Sequence, residues 1–190
     1  MSRVVFLLEE YSMKVLLEGL LPRLFPDLPF ICVSHEGKQD LARSIPRKLR
    51  AWREPGVRFC VIRDNDGADC RALKQELIAL CEQGGRNDVL VRIVCQELEA
   101  WYFGAPAALA EAFGREAIRR VAGSARFREP DAIVQPARAL AKLVPEFQKV
   151  SGARRLARVR SRDNGSRSFQ VLLTGIEGLR EQVTESPESA

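Results

Sequence analysis

Four short apolar runs alternate with helical stripes over the first hundred residues, and three of the four end in carboxylates. Val4 to Leu8 leads into Glu9 and Glu10, Val57 to Ile62 into Asp64 and Asp66, and Val89 to Cys95 into Glu97 and Glu99. The remaining run, Phe30-Ile31-Cys32-Val33, precedes His35-Glu36-Gly37. Between the runs, apolar residues recur at three- and four-residue steps. Met13, Leu16, Leu17, Leu20, Leu21 and Leu24 form one stripe, with Ser12 as its expected N-cap and Pro22 and Pro26 marking its end. Leu41, Ile45, Leu49 and Trp52 form the next, which Pro46 is expected to kink or divide. Leu73, Leu77, Leu80 and Cys81 form the third, stopped by Gly84-Gly85. This order, βαβαβαβ with near-continuous apolar strands, predicts an α/β fold with a mainly parallel four-stranded sheet flanked by helices. In such sheets ligands bind beyond the strand C-termini, which is where the carboxylates fall.

From Ala105 onward the strand signal fades. Helical segments are expected at 107–113, 116–121, 136–143, 152–159 and 166–180. The predicted organisation is an α/β core at 1–104, a helical, arginine-rich extension at 105–183 packed on it, and a disordered tail at 184–190, which carries Ser, Pro and Glu without apolar periodicity.

With 46% hydrophobic residues among 190, the chain can bury one ordinary core. No apolar stretch reaches the roughly 18 residues that cross a bilayer, and no secretory signal pattern opens the sequence, so a cytoplasmic protein without a membrane partner is expected. The five cysteines are odd in number and widely spaced, which predicts reduced core residues and neither a disulfide framework nor a zinc site. The single histidine, His35, reads as a surface residue. Charge is uneven: Arg154, Arg155, Arg158, Arg160, Arg162 and Arg167 face only Asp163 between residues 151 and 167, and so carry the whole net charge of +5. The run reads equally as a phosphate-binding footprint or as a solvated helix face.

Acidic groups gathered at one rim need a cation. Mg²⁺ (or Mn²⁺) takes oxygen ligands, keeps several waters and needs only two or three carboxylates. Asp64 and Asp66 are two residues apart, so in an extended segment their side chains would point the same way. If Gln96 begins a helix, Glu97 and Glu99 lie about 200° apart around its axis and only one can face the crevice, with Glu99 preferred.

The strand-Glu and strand-Asp-x-Asp pattern on this element order resembles a Toprim domain, the metal-binding fold of topoisomerases, primases and overcoming-lysogenization-defect nucleases. Leu8-Glu9-Glu10-Tyr11-Ser12-Met13-Lys14, the stretch Asp64 to Cys70, Gln96-Glu97-Leu98-Glu99-Ala100-Trp101-Tyr102 and Ser166-Arg167-Ser168-Phe169 are similar to domain-of-unknown-function family 4276 over nearly the whole chain. The resemblance implies acid/base work for Glu9, a metal-binding pair in Asp64 and Asp66, and a further acidic position at Glu99. It also implies an acidic residue after Trp-Tyr-x-Gly, where this chain has Ala105. Val61 to Gly67 is similar as well to the Asp-x-Asp-Gly loop of haloacid-dehalogenase-type phosphatases, but that loop ends an early strand and needs a later lysine and acidic pair, whereas here it follows the third run and the downstream segment is arginine-rich and helical.

The expected function is therefore divalent-metal-dependent cleavage of nucleic acid, DNA ahead of RNA. Glu9 or Glu10 would be the proton acceptor, Asp64, Asp66 and Glu99 or Glu97 the metal ligands, and the arginines the backbone contacts. Trp101, Tyr102 and Phe103 read as core packing before base stacking. No phosphate-binding Gly-Lys-Ser/Thr loop is present, so ATP hydrolysis would come from a separate ATPase, as the resemblance implies for antiphage defence. A homodimer is compatible with the pattern. The alternative is a non-catalytic subunit that binds nucleic acid or the ATPase.

Overall fold

The computed structural model describes residues 2–159 and 161–184. Arg160 and the expected tail beyond Thr184 lie outside the described residues, and Thr184 itself closes the last helix. Four strands, β1 (Val4–Leu8), β2 (Phe30–Ser34), β3 (Arg58–Asp64) and β4 (Leu90–Val94), form one parallel sheet in the order β2-β1-β3-β4. Three helices alternate with them: α1 (Tyr11–Leu24), α2 (Lys38–Ala51) and α3 (Cys70–Gln83). There follow α4 (Leu98–Phe103), α5 (Pro106–Phe113), α6 (Glu116–Ala122), α7 (Pro136–Leu143), α8 (Lys149–Val159) and α9 (Arg167–Thr184), with short 3-10 turns at Ala125–Phe127 and Pro130–Ala132.

Alternate residues of each strand feed two separate cores. Val4, Phe6, Leu8, Cys60 and Ile62 pack under α1, α4, α8 and α9. Val5, Leu7, Phe59 and Val61 pack under α2 and α3. All five residues of β1 are fully buried, which is why its sequence shows no polar alternation. The strand order reverses between β1 and β3, whose residues Leu8 and Ile62 are register partners, so Glu9 and the Asp64 segment emerge side by side at the switch point.

Three local expectations are corrected. Ser12 is not the cap of α1: Glu10 holds that position, and Ser12 lies buried in the first turn with its hydroxyl donating to Glu10 Oε1. Helix α1 ends at Leu24, between Pro22 and Pro26 as expected, with Pro22 inside its last turn, whereas Pro46 sits inside α2 and does not divide it. A proline in a helix costs about 3 kcal/mol, whereas each buried aliphatic side chain returns roughly 1.5–3. Five apolar residues buried on α1 and three on α2 outweigh that penalty. His35 is buried, not on the surface: its ring nitrogens meet Leu8 O at 2.8 Å and Ser44 Oγ at 2.9 Å, fastening the end of β1 to α2.

The C-terminal helices pack onto the same core. Helix α8 runs parallel to α1, start beside start and end beside end. Lys149 at its start meets Glu10, and Ala157 near its end accepts from Arg23 Nη1 at 2.7 Å. The two axes cross closely at Gly19, where an added Cβ would lie 2.7 Å from that of Ala157. Trp101, Tyr102 and Phe103 are all at most 1% exposed, with Trp101 set edge-on to Phe169 and Phe103 stacked on Phe127, so these aromatics are core. Among the described residues no helix is long and apolar enough to cross a membrane.

Candidate metal centre

β3 ends at Asp64, whose side chain is 6% exposed. Its Oδ2 accepts the Leu98 N–H at 3.1 Å, at the start of α4, and its Oδ1 is buried with no hydrogen-bond partner. Burial raises the Asp64 pKa well above the usual carboxylate range, and the charges of Glu10, Glu9 and Glu99 add to the rise. Beside it, Glu9 Oε2 accepts the Asp64 N–H at 3.2 Å and lies 3.8 Å from Arg63 Nε. Its pKa is raised by burial and then by Asp66, with Arg63 working against both.

Glu99 is the most enclosed member of the group. It is 1% exposed on the first turn of α4, and both carboxylate oxygens are buried without a hydrogen-bond partner. Burial pushes its pKa up to about 7, Lys149 works against that rise, and Glu10 and Glu97 support it. Glu10 is already engaged, with Ser12 Oγ on one oxygen and Lys149 Nζ on the other at 3.1 Å. Burial opposes the charge on Lys149, but Glu99 and Glu10 outweigh it and its pKa is raised.

The remaining two carboxylates sit at the edge. The premise of an extended segment through Asp66 is corrected. The strand stops at Asp64, and Asp66 has a left-handed φ of 48°, is 44% exposed at its side chain and pairs with Lys38 at 3.6 Å. Its charge still reaches Glu9, whose pKa it helps to raise. Glu97, at the N-cap of α4, accepts the Ala137 N–H at 2.9 Å and so ties α7 to the rim.

Asn65 holds this geometry. Its Oδ1 accepts Gln96 N at 2.5 Å and Gly67 N at 3.3 Å, and its amide donates to Ala68 O at 2.7 Å and reaches Cys70 Sγ at 3.1 Å. Gln96, with φ 66°, in turn accepts the Asp66 N–H at 3.0 Å. Two non-glycine residues in the left-handed region, facing each other across the β3 and β4 ends, mark strain kept at a site.

Among the described residues no three Asp, Glu, His or Cys side chains come close enough as they stand to hold one metal ion together. The donor set nevertheless fits a hard cation. Three buried carboxylate oxygens, Oδ1 of Asp64 and both of Glu99, lack partners, and an unpaired buried acceptor costs about 1–3 kcal/mol. Oxygen-only donors, with Glu9 half-buried beside them, suit Mg²⁺ or Mn²⁺.

The arginine run lies elsewhere. Because α8 starts at the rim and descends along α1, Arg154, Arg155 and Arg158 point progressively away from the carboxylates. Arg155 covers the Phe113 ring at 5.4 Å. Arg162 bonds Leu24 O at 3.1 Å and Glu177 at 3.0 Å and covers Phe25, so it has an internal role. Arg167 opens α9 on the β4 side. Ala105 is the N-cap of α5 and lines a cavity of about 450 Å³ with Asp163, which none of the six rim carboxylates lines.

Sequence reasoning missed Lys149, Asn65 and Asp131. Nothing in the local pattern around Lys149 marks it. Asp131 accepts from Ser166 Oγ at 2.6 Å, Ser168 N at 2.7 Å and Ser168 Oγ at 3.0 Å, while Trp101 Nε1 donates to Ser168 Oγ at 2.9 Å. The Ser166-Arg167-Ser168-Phe169 motif carried that signal: it fastens α9 to α4.

Domain of unknown function DUF4276 matches residues 8–177. The chain belongs to this family. Its fold is Toprim-like and matches that of the C-terminal regions of OLD proteins. The C-terminal region of the Burkholderia pseudomallei OLD protein is similar at a TM-score of 0.60 and 17% identity, covering 96% of this chain and 99% of that one. The C-terminal region of the Xanthomonas campestris pv. campestris OLD protein is similar at a TM-score of 0.55 and 15% identity, covering 97% of each chain. No curated protein matches the chain.

Proposed function

We propose that this DUF4276 chain is a divalent-metal-dependent nuclease that cleaves phosphodiester bonds and works in antiphage defence beside a separate ATPase. The observation that carries the reading is the set of unpartnered buried oxygens on Asp64 and Glu99, at the switch point of the sheet and next to Glu9. Asp64 and Glu99 would hold Mg²⁺ or Mn²⁺, with Asp66 reaching in from the loop edge once released from Lys38. Held there, such a cation would supply the positive charge that polarises a phosphate oxygen and stabilises developing negative charge.

The chain's own groups divide the remaining work. Glu9 is the proton acceptor for attacking water: its raised pKa brings it nearer the working pH, and among the described residues one of its oxygens has no hydrogen-bond donor. Glu10 is the weaker candidate, since both its oxygens are engaged. Lys149, partly exposed at the rim, places an ammonium where a substrate phosphate would arrive. The similar structures are C-terminal regions of OLD proteins, and the separate ATPase rests on the family resemblance alone.

A second reading, a non-catalytic subunit binding nucleic acid or the ATPase, is favoured by one observation, that the carboxylates do not close on a shared point. One experiment separates the two. Wild type and an Asp64→Ala, Asp66→Ala double variant are incubated with plasmid and single-stranded DNA plus Mn²⁺ or Mg²⁺, and both are titrated with Mn²⁺ by calorimetry. The nuclease reading expects cleavage and metal binding in the wild type and at least a hundredfold loss of cleavage in the variant. Cleavage that survives the substitutions puts the site elsewhere, and absence of both cleavage and Mn²⁺ binding in the wild type leaves the subunit.

A further inference from the structure

On the far side of Asn65 from the carboxylates, a cavity of about 250 Å³ opens along the β4 edge of the sheet, between α3 and α9. Its floor is apolar, made by Val91, Ile93 and Val171, the last 43% exposed. Its walls carry cations from three elements: Arg71 and Lys74 on α3, Arg92 on β4 and Arg167 on α9. Arg92 is fixed there by Val171 O at 3.2 Å and Val91 O at 3.1 Å. Arg71, Lys74 and Arg167 are exposed and, among the described residues, have no ion-pair partner. The one acidic group of the lining, Asp131, is occupied by Ser166 and Ser168. The cavity therefore has cationic walls and a greasy floor.

We infer that this cavity is a nucleotide subsite for single-stranded DNA, adjoining the carboxylate rim, in which Arg71, Lys74 and Arg167 hold the phosphodiester backbone and the apolar floor supports a base or sugar. The inference deepens the nuclease reading and rests on it for the identity of the ligand. Charge complementarity picks the occupant, since mobile cations around an apolar floor match a polyanion with flat apolar faces. At about 250 Å³ the open cavity lies below the usual range of small-molecule pockets, about 300–1,000 Å³, so it would seat part of one nucleotide of a strand and has no room for a duplex. Continuity with the rim sets the direction. Cys95 lines the cavity and precedes Gln96 and Glu97, while Cys70 lines it and contacts Asn65, the residue after Asp64. A strand seated here passes over Asn65 to reach Asp64 and Glu99. The α8 arginines, which lead away from the rim, are not on that path.

The two cysteines give a readout independent of catalysis. Cys70 and Cys95 are half-buried in this cavity, 3.8 Å apart at sulfur, whereas Cys32, Cys60 and Cys81 are buried in the core. Wild type, an Arg71→Glu, Lys74→Glu double variant, Arg167→Glu, and an Arg154→Glu, Arg158→Glu comparison variant are each titrated with a fluorescent single-stranded oligodeoxynucleotide in EDTA. Iodoacetamide labelling of Cys70 is followed by peptide mass spectrometry with and without the oligonucleotide, and circular dichroism checks each fold. We expect the two cavity variants to bind at least tenfold more weakly than wild type, the comparison variant within about threefold of it, and saturating oligonucleotide to slow Cys70 labelling at least threefold. Cavity variants that bind like wild type, or labelling that saturating DNA does not slow, overturn the subsite. A protein that cleaves DNA while its cavity variants bind normally loses the subsite and keeps the nuclease reading. A protein that shows the expected binding and protection but never cleaves keeps the subsite and loses the nuclease.

Discussion

Glu99 shows how burial sets the chemistry of a single side chain. Its carboxyl, 1% exposed, is raised from 4.5 to about 7 by desolvation, against the pull of Lys149. The folded state therefore keeps a proton that the unfolded chain releases at lower pH. Metal-free stability from this group is fully present below pH 4.5 and is lost as pH rises to about 7, a change on the order of 3 kcal/mol. Asp64 and Glu9, both raised, act in the same direction. Glu99→Gln should flatten this slope: in EDTA the variant is expected to match wild type at pH 5 and exceed it by about 1–3 kcal/mol at pH 8 by urea unfolding. Equal stabilities at pH 8 would mean that Glu99 is solvated. The opposite effect is expected on activity, where the lost charge removes a metal ligand. Glu99 was legible as one of two alternatives with Glu97, but the supposed helix from Gln96 was not: α4 begins only at Leu98, and Glu97 is its extended N-cap. His35 was not legible, because a lone histidine carries no signal of the two buried partners that claim it.

At the scale of elements, helix α8 matters because its first residue brings an ammonium to Glu10 at the carboxylate rim. Its position depends on close approach to α1 at Gly19, where a Cβ would meet Ala157 at 2.7 Å. Gly19→Val should force the helices apart. We expect a loss of about 1–3 kcal/mol in urea unfolding, together with a fall in activity as Lys149 retreats from Glu10. Unchanged stability would show that the crossing tolerates bulk. The strands and helices themselves were readable from period and punctuation. Gly84 ends α3, and the segments expected at 136–143 and 152–159 correspond to α7 and to all but the first turn of α8. Local signals failed at Ser12, which does not cap α1, and at Pro46, which does not divide α2. There burial against the sheet decided the outcome over cap preference and proline geometry.

Over the whole molecule, like charges gathered at one rim destabilise the metal-free fold, and a bound cation should reverse this. Mn²⁺ at about a hundred times its dissociation constant would stabilise the folded state by roughly 2.7 kcal/mol. For a domain of this size that is a rise of about 5–10 °C in Tm. The shift is expected at pH 8 and should largely vanish at pH 5, where Glu99, with a pKa of about 7, is protonated and no longer a ligand. An equal shift at both pH values would place the ion away from Glu99. The sequence by itself determined the strand and helix order and the carboxylates at three strand ends, since period, punctuation and adjacency are local properties of a chain. Only the tertiary structure decided which carboxylates are buried without partners, that Lys149 meets Glu10 from 139 positions away, and that the arginine run departs from the rim while the β4-edge cations adjoin it. Burial and pairing are set by contacts between segments that are remote in the chain, and no local pattern encodes them.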